Sequence, residues 1–328
     1  MSKANWTWVR VILSAAALAW VFSRTPFRTV FEIFESANLA LLAAGVAVNV
    51  ATRLAAAERT QIMNRALGLS VTRAQTVATL FISNFYALLS PGPWLSGAVT
   101  VFRYKRMGAS LTGSVSSLLA SRLVEAVAFL FWGVAFALWD GHLQSVAVRP
   151  AMQLAFIALT GAAILIAIWW AWHRPRRAMA GASAGVDTIA AGGPMRVRIA
   201  KLREAGLQIL MIGPAVSLKA ALPASLQLLL SGVGLALLAR AVGCDMAWAS
   251  GAWLAAAVYG VVLLPISIAG LGVRDVTLVK CFAILGFAPR AAVAVSLLLF
   301  LDQLISAVIG AVLQVATTPS QPRVGVTP

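Results

Sequence analysis

Arg122 and Glu125 lie three residues apart inside a long apolar run, 110–139. That spacing puts both side chains on one face of a helix, where they can pair. Ionisable groups in an apolar span are costly and face a bundle interior or a cavity. The pair therefore reads either as a self-neutralising structural couple or as part of a substrate cavity. Arg274-Asp275 follows a Gly-rich break directly, and its plainer reading is a charge pair at a helix start. Asp302 lies in Leu297-Leu298-Leu299-Phe300-Leu301-Asp302-Gln303-Leu304. It has no acidic or basic neighbour on its own helix, so it requires a partner on another element or must carry a proton.

Other chemistry is poorly represented. The only histidines, His142 and His173, sit at segment ends without metal-ligand spacing. Cys244 and Cys281 give no disulfide framework. Gly270-x-Gly272 is not a nucleotide loop, because no strand precedes it and the rest of that signature is missing. The expectation is no metal, no cofactor and no catalytic residue. Gly92, Gly97, Gly270 and Gly272 would let backbone approach a lipid headgroup, and free N–H groups at a half-helix start suit an anion. Close helix packing through small residues is the alternative. The net charge of +16 could suit nucleic acid, but no basic run is interleaved with aromatics on a soluble domain. The charge fits membrane topology, with Lys and Arg gathered in cytoplasmic loops.

These residues must be positioned by membrane helices. Of 328 residues, 61% are hydrophobic and 11% charged, against about 25% charged in soluble domains. Eight hydrophobic segments fall at 6–23, 37–52, 74–90, 110–139, 151–172, 213–239, 248–264 and 290–316. A helix needs roughly 20 residues to cross the hydrocarbon. The segments 74–90 and 248–264 are short, and each runs into a break. The first break is Ser90-Pro91-Gly92-Pro93-Trp94-Leu95-Ser96-Gly97, followed by Arg103; the second runs from Pro265 through Gly270 and Gly272 to Arg274. Broken backbone survives in a membrane only where protein or a water-filled cavity satisfies it. Paired short segments at matching places in two halves point to a transporter-type site.

The fold expected is all-α: a polytopic helical bundle of two inverted halves, with about six full spans and two re-entrant helical hairpins. One integral membrane domain, 1–316, would hold pseudo-repeats at about 6–139 and 151–316. A basic linker covers 173–206 and a disordered tail 317–328. The stretch 53–73 reads as an interfacial helix on the inner surface, its arginines serving as topology anchors. With both termini cytoplasmic, the hairpin arrangement puts most Lys and Arg inside.

At Leu264-Pro265…Gly270-Leu271-Gly272-Val273-Arg274-Asp275 the sequence resembles the lysylphosphatidylglycerol synthase transmembrane-region, or flippase-like, family. That family shows a Pro, a Gly-x-Gly and an Arg followed by an acid. Pro91-Gly92…Gly97…Arg103 resembles its earlier feature, and Ser121-Arg122-Leu123-Val124-Glu125 its arginine-plus-acid signature. The resemblance spans roughly 8–316. Two departures stand out: 98–102 holds no acid, and an arginine common in the last span is replaced near 300–302. The synthases of the family add a soluble C-terminal domain, and a chain ending soon after its last span is expected to lack their activity.

The resemblance implies a non-enzymatic, flippase-like protein of the inner membrane. It would translocate or handle an anionic phospholipid, a hopanoid-type lipid or a polyprenyl-linked sugar. Candidate headgroup contacts are Pro91, Gly92, Gly97, Arg103, Arg122, Glu125, Pro265, Gly270, Gly272, Arg274, Asp275 and Asp302. Partners would be membrane lipids and proteins of lipid biosynthesis or envelope assembly. The alternatives are a glycosyltransferase acting on lipid-linked sugars, with Glu32 and Glu35 in an outer loop, and an assembly subunit that moves no lipid.

Overall fold

The computed structural model describes residues 35, 37–88, 94–141, 204, 206, 208–209, 211–262 and 273–317. Among these the chain forms eight helices: α1 (Leu39–Ala66), α2 (Arg73–Ala87), α3 (Trp94–Arg106), α4 (Leu111–Trp139), α5 (Pro214–Ala241), α6 (Trp248–Val262), α7 (Val273–Ile284) and α8 (Pro289–Ala316). The segments 6–23 and 151–172, the linker apart from the helical residues Glu204 and Gly206, and the tail from 318 lie outside the described residues.

Local sequence sets the helix ends. The Asn38 side chain caps α1, accepting from the amides of Ala40 and Leu41 at 3.1 and 3.2 Å. Thr72 and Gln75 form a reciprocal capping box at α2. Ser110 caps α4 through the Gly113 amide at 3.0 Å. Pro214 and Pro289 open α5 and α8, where a missing N–H costs nothing.

Four helices, α1, α4, α5 and α8, are 28, 29, 28 and 28 residues long and apolar enough to cross a membrane. The remaining four, of 15, 13, 15 and 12 residues, are too short to cross singly. The order is long, short, short, long, and it occurs twice, in α1–α4 and again in α5–α8. Glycines with positive φ mark matching places. Gly68 and Gly243 stand two residues past α1 and α5, while Gly108 and Gly286 stand two past α3 and α7. A left-handed residue there ends a helix at no steric cost only if it lacks Cβ.

Packing repeats as well. α4 of the first unit packs on α6 of the second, and α8 of the second packs on α2 of the first. Both contacts close on a glycine. A Cβ at Gly133 would collide with Ala256 of α6, and one at Gly310 with the Phe81 carbonyl of α2. Small residues let membrane helices approach this closely.

The equivalent helices α1 and α5 run antiparallel along an extensive contact. Asn38 N–H donates to the Ala241 carbonyl at 2.9 Å. Further along, Gly45 meets Leu238 and Asn49 meets Gly234. Val71 and Ala109, in the connectors before α2 and after α3, pack with Tyr104 in the first unit. Cys244, Met246 and Leu285 share a cluster in the second. Both cysteines are free.

One expectation is corrected. Residues 53–66 do not leave α1 to lie on a surface; they are its second half. Arg59 is buried there, because other helices satisfy its charge.

Candidate functional site

The densest ionic cluster among the described residues lies between α1, α4 and α5. Glu125, near the middle of α4, is the hub. Its Oε2 lies 2.9 Å from Arg122 Nη1 and 3.2 Å from Arg59 Nη2. Its Oε1 accepts from Gln227 Nε2 at 2.8 Å. Arg59 donates through Nη1 to Gln227 Oε1 and through Nε to Ser121 Oγ at 3.0 Å. Ser121 also meets Thr60 Oγ1 at 3.1 Å. Glu125 thus has both oxygens engaged, as a buried carboxylate requires.

The charges do not cancel. Two guanidiniums face one carboxylate, leaving one net positive charge. The two arginines also differ in environment. The Arg59 side chain is 3% exposed and that of Arg122 is 45% exposed. Arg122 stands among the exposed side chains Leu119, Leu123, Val127 and Leu130 of α4. The surplus charge therefore opens on the apolar outer stripe of a membrane-length helix. The spacing in sequence identified Arg122 and Glu125. It missed Arg59 and Gln227, which come from other helices.

The remaining candidates are spread over separate networks. Arg103, on α3, donates from Nε to Thr79 Oγ1 of α2 and from Nη2 to Thr317 Oγ1 beyond α8, at 3.3 and 3.2 Å. Arg274, buried at the start of α7, donates to Gln303 Oε1 and to the Ser296 carbonyl and hydroxyl of α8, each at 3.2 Å. Asp275 lies 3.5 Å from Arg274 Nε and accepts from Ser296 Oγ. These contacts fasten short helices to α8. Gly97 packs against α4, with Leu118 Cδ2 3.3 Å from where its Cβ would stand. Pro91, Gly92, Pro265, Gly270, Gly272 and Glu32 lie outside the described residues, and Glu35 is exposed.

Asp302 finds its partner on α1. Its Oδ2 stands 3.9 Å from Arg53 Nη2. α1 therefore serves both buried acids, sending Arg59 to α4 and Arg53 to α8. The two acids are placed alike, since Glu125 precedes Gly133 by eight residues and Asp302 precedes Gly310 by eight. A signal for the missed arginines exists in the sequence. The buried positions Asn49, Thr52, Ala56, Arg59, Thr60 and Met63 keep helical spacing straight through the charges.

Comparison with curated protein sequences returns no match. The model of the lysylphosphatidylglycerol synthase TM region matches residues 7–311, which takes in every helix described except the last turn of α8. The chain is an integral membrane protein and belongs to the lysylphosphatidylglycerol synthase TM region family.

Proposed function

We infer that the protein is a lipid flippase. Its Arg59–Glu125–Arg122 centre would receive an anionic headgroup partway through the membrane. The observation that carries this reading is the half-exposed Arg122, bearing surplus positive charge beside lipid-facing leucines. An uncompensated charge at mid-span is expensive. A phosphate arriving from the lipid side would balance it through charge-assisted hydrogen bonds, which guanidinium forms well. Gln227 and Ser121 hold Arg59 and Glu125 in place, so Arg122 is the group free to reorient.

The two units would act as inverted halves. Antiparallel α1 and α5 support this, because equivalent helices that cross in opposite directions place their units upside down to one another. The α2–α3 and α6–α7 pairs would then dip into the membrane from opposite faces, one cytoplasmic and one external. The site would lie between the halves, where transporters of this construction hold substrate. Both termini would be cytoplasmic and the membrane the inner one. The reading assigns no catalytic step; lipid-assembly proteins are the partners it would suit.

Proteoliposomes carrying a fluorescent phosphatidylglycerol or phosphatidylcholine provide the test. Wild-type protein should accelerate exchange of the anionic probe between leaflets. Arg122→Gln should slow it about tenfold or more, the loss of one charge-assisted contact. No exchange above empty vesicles would remove the flippase reading.

A further inference from the structure

Glu125 and Asp302 match in position and differ in what surrounds them. Glu125 is held at both oxygens by Arg59, Arg122 and Gln227. Asp302 is 4% exposed at the middle of α8, yet its Oδ1 accepts no hydrogen bond. Its Oδ2 has Arg53 at 3.9 Å, well beyond the 2.7–2.9 Å usual for a charge-assisted bond. One turn further along α8, the Ser306 hydroxyl is buried and equally unpartnered. On α1, one turn apart, Asn49 Nδ2 and Arg53 Nε are buried without acceptors. Buried polar atoms in a native fold are nearly always satisfied. The two open oxygens on α8, Asp302 Oδ1 and Ser306 Oγ, are the acceptors a cation would fill, while the two open N–H donors on α1 would not ligate one.

The neighbouring charges narrow what fills them. From α7, Arg274 and Asp275 are engaged with each other, Ser296 and Gln303. From α2, Arg73 pairs with Glu58 and Tyr86 accepts from Gln314. From α5, Lys219 is exposed and Arg240 pairs with Asp245. Among the described residues this leaves Arg53 as the charged group beside Asp302. Its side chain is 29% exposed on a long stem, close enough to balance the acid and loose enough to withdraw.

We propose that Asp302 Oδ1 and Ser306 Oγ form a site for a monovalent cation, exchanged with Arg53. The cation is either a proton on the carboxyl or a sodium ion held between the two oxygens. When it binds, it replaces the guanidinium as the neutralising charge. Glu125, with no open oxygen, is the fixed member of the pair, and Asp302 is the one that loads. The site concerns binding alone, so it stands or falls independently of lipid movement.

The full-length chain in detergent is titrated with sodium chloride at each of several pH values, with choline chloride as control. Sodium binding and the infrared band of protonated carboxyl groups are followed together. A sodium site gives saturable binding that Asp302→Asn abolishes and Ser306→Ala weakens about tenfold. A proton site gives a protonated-carboxyl band that disappears on raising pH, is insensitive to sodium and is missing in Asp302→Asn. Asp245→Asn, at an exposed loop position, should change neither signal. If Asp302→Asn fails to fold, Ser306→Ala decides, by weaker sodium binding or a shifted carboxyl band. The proposal is overturned if wild type shows neither saturable sodium binding nor a protonated carboxyl. It is equally overturned if the signal that wild type does show is unchanged in both the Asp302 and Ser306 variants.

Discussion

Glu125 and Asp302 are counterparts, each eight residues ahead of the glycine where its long helix meets a short helix of the other unit. Gly133 closes on Ala256 and Gly310 on Phe81. The same spacing from acid to close approach, made twice with different residues, ties the charged centres to the scaffold that carries them.

The glycine contacts should be intolerant of size. Gly310→Leu drives a side chain against the Phe81 backbone, which cannot yield as a flexible side chain does. We expect a loss of about 1–3 kcal/mol, the usual range for overpacking, read as a lower thermal midpoint in detergent. Gly97→Ala meets only the tip of Leu118, and its midpoint should stay near wild type.

The two arginines at Glu125 should separate in a stability measurement. Arg59→Met leaves a buried carboxylate short of a partner and removes one hydrogen bond each from Ser121 and Gln227. The cost should be about 3–5 kcal/mol, as for other broken buried pairs. Arg122 bears the surplus charge, and Arg122→Met leaves Glu125 paired with Arg59 and Gln227, so it should cost less than Arg59→Met. A double-mutant cycle between positions 59 and 125 should give a larger coupling than one between 122 and 125.

The proposed inverted arrangement would place Lys105, at the end of α3, and Asp245, beyond α5, on opposite sides of the membrane. In a background with Cys244 and Cys281 replaced by serine, Lys105→Cys should label from one side and Asp245→Cys from the other. Labelling of both from the same side would contradict inverted halves.

Much of this was legible in the sequence, for reasons that also explain the gaps. Arg122 and Glu125 declare themselves because their partnership is local to one helix. Asp302 stands out because an isolated acid in an apolar run demands a remote partner, which α1 supplies as Arg53. The short α2 and α6 and the long α4, α5 and α8 show in the lengths of the apolar runs, whereas α1 does not, because its run 37–52 stops at Arg53. Arg53 and Arg59 were misleading, because charges in a hydropathy pattern look like the end of a span. Only tertiary partners, Glu125 and Gln227 for Arg59 and Asp302 for Arg53, let α1 continue through them. Gln227 carries no charge and sits among leucines, so nothing local singles it out.

The central claim is that Arg122 offers surplus positive charge to an anionic lipid, and retained lipid measures it most directly. Native mass spectrometry of the full-length protein, with phosphatidylglycerol and phosphatidylcholine supplied in equal amounts, gives the ratio bound. Wild type should retain the anionic lipid preferentially, and Arg122→Gln should reduce that preference about tenfold. Equal retention of the two lipids by wild type, or a preference unchanged in Arg122→Gln, would contradict the account.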